Sequence, residues 1–228
     1  MIEKNFSILL KIPNISLESV LSIPNERSGL VLFAHGSGSN RISYRNQIVA
    51  KKLNEFGIGT LLFDLLTDEE QQSDSRTQKI MCKIPGIMLN KFNIHLLTER
   101  LLGVTDYVVD NPDTKNLNIG YFGSSTGAAA ALIAASKNSD IKAIVTRSGR
   151  VDLVENIFVH DIIVPTMFIV GGNDKEIIEI NKNMINKLTN IRYKKLEIIT
   201  GASHLFEEQE KLIEAGVLAS NWFRKFIT

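Results

Sequence analysis

The sequence predicts an α/β protein of three layers, a mainly parallel sheet with helices on both faces. Two observations predict this. Short, uninterrupted apolar runs such as Gly29–Ala34 (GLVLFA) read as strands buried on both faces. Between them lie stretches with apolar residues three and four apart, the spacing of helices that bury one face. Strand and helix then alternate along the chain, a rhythm that favours parallel pairing with crossover helices.

Taken in order, Phe6–Ile12 and Ile15–Ile23 are two strands separated by Pro13-Asn14, an opening hairpin. Gly29–Ala34 follows as the first fully buried strand. Ile48, Val49, Leu53 and Phe56 share a helical face that Gly57 ends. Thr60–Phe63 is the next buried strand. Ile94, Leu97, Leu101, Val104 and Val108 mark an amphipathic helix closed by Asn111-Pro112. Leu117–Phe122, Ala143–Val145 and Met167–Val170 are further strands. Tyr193–Ile199 is the last strand, and Phe206–Phe226 is the last helix. The polar segment Thr67–Lys83 fits neither period and reads as a solvated surface loop in preference to a flap over a site. Cys82 falls within it as a bystander.

A chain of 228 residues with 44% hydrophobic content suits a single domain, 1–228, with a sizeable core. Lys and Arg number 26 against 25 Asp and Glu, so the net charge is only +1. That balance supplies no field for nucleic acid or an acidic membrane, and points to a small-molecule substrate. One cysteine allows no internal disulfide, and the N-terminal apolar run is short for a signal peptide. A cytoplasmic protein is expected. No cofactor or metal is called for. A homodimer through an edge strand or helix is left open.

Ligands of such sheets sit beyond the carboxyl ends of the strands. There, after Leu117–Phe122, stands Gly123-Ser124-Ser125-Thr126-Gly127, leading into a run of alanines. Gly-x-Ser-x-Gly between a strand and a helix is the setting of a nucleophile on a tight, strained turn, with small residues required on either side. Ser125 is the candidate nucleophile, and the helix start behind it favours a developing oxyanion. A serine needs a base. Of His35, His95, His160 and His204, only His204 follows the last strand in a loop that can project over the sheet edge. His95 lies within a helix and His160 in a loop. His35 braces the loop after Gly29–Ala34. Asp174, just past Met167–Val170, is the expected acid, with Asp152 as a substitute and Asp64 as a structural or pocket-lining carboxylate. The order Ser125, Asp174, His204 is that of strand-end triads in this sheet type. The oxyanion hole is expected from the amides of Ser37 and Thr126. Tyr44, Arg45, Thr67, Arg76, Met88 and Arg147 are unranked candidates for the pocket wall.

Alternative motifs fail. A dinucleotide fingerprint beginning at Gly36-x-Gly38 needs a glycine where Arg41 stands, and no Gly-Lys-Ser/Thr follows Gly123–Gly127.

With these residues assembled, the chain resembles the α/β-hydrolase superfamily, and within it the dienelactone-hydrolase-like branch of small bacterial hydrolases sometimes fused to phosphoribosyltransferase domains. The resemblance spans about Gly29 to Phe223. It is carried by Leu32–Ser39, Leu61–Thr67, Gly120–Gly127, Gly171–Asp174 and Gly201–Phe206. It implies an eight-stranded sheet with only the second strand antiparallel. The short link between the strands at Ala143 and Met167 leaves no room for a cap domain. Dienelactone hydrolases carry cysteine at the elbow, where this chain has Ser125, so the resemblance implies ester cleavage without lactone specificity. Thioester cleavage, acyl transfer, peptide cleavage or cofactor-free peroxidation by the same triad, and a non-catalytic binding role, are the competing readings.

Overall fold

The computed structural model describes residues 1–11, 14–25, 29–80 and 88–228. Cys82 and the Ile12-Pro13 end of the expected hairpin lie outside these residues. Eight strands form one sheet: β1 (Ile2–Leu10), β2 (Ile15–Ile23), β3 (Leu30–Ala34), β4 (Gly59–Phe63), β5 (Ile119–Ser124), β6 (Ile141–Arg147), β7 (Thr166–Gly171) and β8 (Lys194–Ile199). Their spatial order is β1-β2-β4-β3-β5-β6-β7-β8. β2 is antiparallel to both neighbours, and every other pair is parallel.

The helices are α1 (Tyr44–Glu55), α2 (Asp68–Ile80), α3 (Ile94–Asp110), α4 (Thr126–Lys137), the single-turn α5 (Asn156–Val159), α6 (Lys175–Lys187) and α7 (Gln209–Ile227). The pleat explains why β3 is apolar throughout. Leu30, Leu32 and Ala34 enter the core beneath α3 and α4, whereas Val31 and Phe33 enter the core beneath α1 and α7. Phe33 meets Phe122 of β5 on the second face with ring centroids 4.9 Å apart. Only the three-residue turn Val151–Leu153 and α5 lie between β6 and β7, and no cap domain is present among the described residues.

Two elements depart from the sequence expectation. The stretch read as an irregular loop contains α2. Its start is a capping box: the Thr67 amide donates to Glu70 Oε2 at 2.9 Å, and the Glu70 amide donates to Thr67 Oγ1 at 3.3 Å. Asp68, Glu69 and Glu70 add negative charge to the first turn, where the helix dipole favours it. The helix lacks an apolar stripe because its inward anchor is polar, the buried Asp74. The last helix begins at Gln209 and not at Phe206, because Phe206 adopts φ 55°, which no right-handed helix accommodates. No helix among the described residues is long and apolar enough to cross a membrane.

Candidate active site

β5 delivers the chain to Ser125, which has φ 49° and ψ −119° at the head of α4. Such a conformation in a non-glycine residue costs about 1–3 kcal/mol and survives only when its surroundings over-determine it. Main-chain bonds hold it here. The Ser125 amide donates to the Arg147 carbonyl at 3.2 Å, and its own carbonyl accepts from the amides of Ala128 at 3.1 Å and Arg150 at 3.0 Å. Gly127 is obligatory, since a Cβ there would stand 2.1 Å from the Ala34 carbonyl oxygen. Gly36 is also close on the other side, where a Cβ would lie 2.9 Å from Ser125 Cβ. The loop after β3 is therefore seated directly against the elbow.

That loop is braced twice. His35 is buried, with Nδ1 bonded to the Gly36 carbonyl and Nε2 accepting from the Leu65 amide, both at 3.0 Å. The second bond fixes the Nδ1–H tautomer, and desolvation by burial holds the ring's pKa below the usual histidine value. At the loop's far end, Asp64 accepts the Arg41 amide at 2.7 Å and pairs with the Arg41 guanidinium. Asp64 is thus structural.

Asp174 and His204 meet where β7 and β8 end. His204 Nδ1 is hydrogen-bonded to Asp174 Oδ2, while Asp174 Oδ1 accepts from the Ile177 amide at 3.3 Å as the N-cap of α6. One carboxylate therefore both starts a helix and orients the imidazole. The two loops are fastened together: the Asn173 amide donates to the Ala202 carbonyl at 3.0 Å, and a Cβ on Gly171 would lie 2.4 Å from the Ser203 carbonyl oxygen. Glu208 completes the histidine loop by accepting from the Ser203 amide at 3.0 Å and its hydroxyl at 3.1 Å. The amide bond holds the Glu208 carboxyl below its ordinary pKa. Among the described residues no hydrogen bond joins the Ser125 hydroxyl to His204.

The substitute acid is engaged elsewhere. Asp152 forms a two-pronged pair with Arg150, at 2.9 and 2.7 Å, which keeps its carboxyl below the usual range. His95 is exposed and pairs with Glu155 at 2.9 Å, and His160 caps α5 at the surface. Ser37 and Thr126 are brought together, but through a side chain: the Ser37 amide donates to Thr126 Oγ1 at 3.0 Å.

Beside the loop, a cavity of about 170 Å³ opens toward α2 and α3, with Ser37, Leu66, Gln71, Asp74, Ser75 and Leu97 in its walls. None of the six residues singled out from the sequence for the pocket lines it. Tyr44 and Met88 are exposed, and Arg147 is buried beneath the sheet edge, its guanidinium 5.9 Å from the ring centroids of both Phe122 and Phe206. Desolvation pushes the Arg147 pKa down to about 9, with Arg45 adding to the effect. The wall residues on α2 were not found from the sequence, although the Thr67-x-x-Glu70 capping signal would have announced their helix. Among the described residues no group of three His, Cys, Asp or Glu side chains is placed to hold a metal ion.

The sheet order, the lone antiparallel β2 and the strand-end elbow define an α/β-hydrolase. The family model of the dienelactone hydrolase family matches residues 17–222, and the chain belongs to that family. A dienelactone hydrolase from Anabaena variabilis is 42% identical over 99% of both chains, with a TM-score of 0.88. The esterase Est1E from Butyrivibrio proteoclasticus shares the fold at 18% identity, with a TM-score of 0.73, covering 96% of this chain and 99% of its own. A Mycobacterium tuberculosis H37Rv protein, provisionally named a phosphoribosyl transferase, is 41% identical over 204 residues. That match covers 89% of this chain and only 42% of the relative, so the chain spans well under half the length of the curated relatives it matches.

Proposed function

We propose that this hydrolase is a serine carboxylesterase acting on small esters. Ser125 is the nucleophile, His204 the base and Asp174 the group that orients the base. The observation that carries the reading is the strained backbone of Ser125 at the start of α4, a conformation with no evident structural purpose. The Asp174–His204 bond at the neighbouring strand ends supports it. As Ser125 Oγ attacks the ester carbonyl, His204 Nε2 takes its proton and returns it to the departing alcohol. Asp174 holds the proton on Nδ1 and stabilises the imidazolium. Water then repeats the sequence on the acyl-enzyme. In this reading the Ser125–His204 hydrogen bond forms as substrate enters and excludes water.

Cavity size supports short substrates. Ser125, Asp174 and His204 do not line the cavity of about 170 Å³, which adjoins the elbow through Gly36. Our reading places there a substrate group of roughly six or seven non-hydrogen atoms, by the measure of a cavity of about 150 Å³ that holds one benzene. Its mixed lining of Ser37, Gln71 and Ser75 with Leu66 and Leu97 suits a short, partly polar group. Thioester cleavage and acyl transfer use the same groups and remain the alternatives within the mechanism. The transferase name belongs to proteins more than twice as long as the matched segment and carries no reading of this site.

The test is hydrolysis of p-nitrophenyl esters from acetate to laurate by wild type and Ser125→Ala. Turnover that falls with chain length beyond butyrate and vanishes in Ser125→Ala is the expected result. Equal activity in Ser125→Ala would remove Ser125 from the mechanism.

A further inference from the structure

The oxyanion hole expected from the sequence uses two amides, those of Ser37 and Thr126. In the structure the Ser37 N–H points at Thr126 Oγ1, 3.0 Å away. The hydroxyl thus occupies the position that an oxyanion bound to that amide would need. Either the side chain swings away during the reaction, or it takes part.

Three observations oppose swinging. Thr126 is 3% exposed. It is β-branched in the first turn of α4, where few χ1 states are open to it. The backbone on either side of it is held close to the loop after β3, since a Cβ on Gly36 would meet Ser125 and one on Gly127 would meet Ala34. Participation needs no movement. A threonine hydroxyl has one proton to donate and two lone pairs. One lone pair is taken by the Ser37 amide, and the proton has no acceptor among the described residues. A hydroxyl that already accepts a hydrogen bond is a better donor, because each bond in a chain polarises the next.

We propose that the Thr126 hydroxyl is itself a donor of the oxyanion hole, with the Ser37 amide acting behind it. Resting on the esterase reading above, the site then offers the tetrahedral oxyanion two donors from one residue. These are the Thr126 N–H, free because it opens a helix, and the Thr126 O–H. No proton is transferred; the carbonyl oxygen gains negative charge as Ser125 Oγ bonds to the carbon and loses it when the alcohol leaves. An O–H donating to an oxyanion makes a short, charge-assisted bond. Thr126 is on this account a catalytic residue through its side chain as well as its backbone.

The discriminating variant is Thr126→Val, which keeps the shape and removes the hydroxyl, with Thr126→Ser as the rescue. The assay is p-nitrophenyl acetate hydrolysis, with melting temperature as the folding control. The expected result is a kcat about 10²-fold lower in Thr126→Val, the loss typical of one oxyanion donor. KM should stay nearly unchanged, and Thr126→Ser should remain within a few-fold of wild type. A Thr126→Val enzyme as fast as wild type, or faster, would make the hydroxyl a plug over the Ser37 amide and overturn the proposal. If the valine variant does not fold, Thr126→Ala leaves room for a water on the Ser37 amide and is judged by the same criterion. Wild-type protein without Ser125-dependent turnover would overturn the esterase reading and the Thr126 role with it; normal wild-type turnover with an unaffected Thr126→Val overturns the Thr126 role alone.

Discussion

The elbow, from Gly123 into α4, and the helix α2 stand on opposite sides of the same loop, His35 to Asn40, yet different forces hold them. The elbow is a matter of backbone. Its contacts are main-chain hydrogen bonds and glycine approaches, and α4 behind it is buried from Thr126 through Ala135. The α2 wall depends on side chains. Asp74 accepts from the Asn90 amide at 2.8 Å, the Asn90 side chain at 3.0 Å and the Lys91 amide at 2.9 Å. Glu70 pairs with the buried Arg100 at 2.7 Å. The first wall has no tolerance for change at its glycines. The second can be loosened one bond at a time, and on the proposed esterase reading it is the side where a change in substrate range is expected.

The largest effect is expected where geometry and proton transfer coincide. Asp174→Asn should keep the cap on α6 but present the wrong histidine tautomer, lowering kcat by about 10⁴-fold as in the serine-protease counterpart. A loss of only a few-fold, measured on p-nitrophenyl acetate, would detach Asp174 from catalysis. Gly127→Ala tests the rigid wall itself. A methyl group 2.1 Å from a backbone oxygen must displace a strand or a helix, with an expected cost of about 3 kcal/mol or more by urea denaturation.

Asp74→Ala tests the adjustable wall and should behave differently. Losing the hydrogen bonds of a buried carboxylate is expected to cost about 2 kcal/mol. Acetate turnover should stay within a few-fold, while activity on longer esters rises as α2 loosens. Unchanged chain-length preference would sever α2 from substrate selection.

What was legible in the sequence follows the same division. β3, β4, β5 and β7 showed themselves because burial on both faces leaves no choice but apolar residues, and the elbow because its turn demands Gly123 and Gly127. β6 extends past its apolar run to Arg147, a charge that hides the strand's last residues from hydropathy. α2 was missed because the one buried side chain among those described in it is a carboxylate, and neither Asn90 nor Lys91 advertises itself as that carboxylate's partner. The Asp174–His204 pairing rests on loop lengths after two strands, which chain order conveys. The use of Thr126 Oγ1 by Ser37 depends on a side-chain direction that spacing does not convey.

Arg147 gives the smallest predicted effect, and its sign is the useful part. It is 6% exposed, no carboxylate partner reaches it among the described residues, and its Nη1 has no hydrogen bond. Burying that charge destabilises the fold while the guanidinium is protonated. Below its folded pKa of about 9 the penalty is fully present; as pH rises through 9 while still below the ordinary arginine range, the unfolded chain holds the proton that the folded chain has released, and the penalty fades. Arg147→Met should therefore stabilise the protein by about 1 kcal/mol near neutral pH, and by less above pH 9. Destabilisation by the substitution at pH 7 in thermal unfolding would show that the guanidinium's attraction to the Phe122 and Phe206 rings outweighs the buried charge.

The central claim is that Ser125 is an activated nucleophile, and the most direct measurement is intact-mass spectrometry after exposure to a fluorophosphonate, followed by peptide mapping. The account predicts a single adduct on wild type, located on Ser125, slowed strongly by His204→Ala and absent from Ser125→Ala. A folded wild-type protein that takes no adduct, or takes it on another residue, would contradict it.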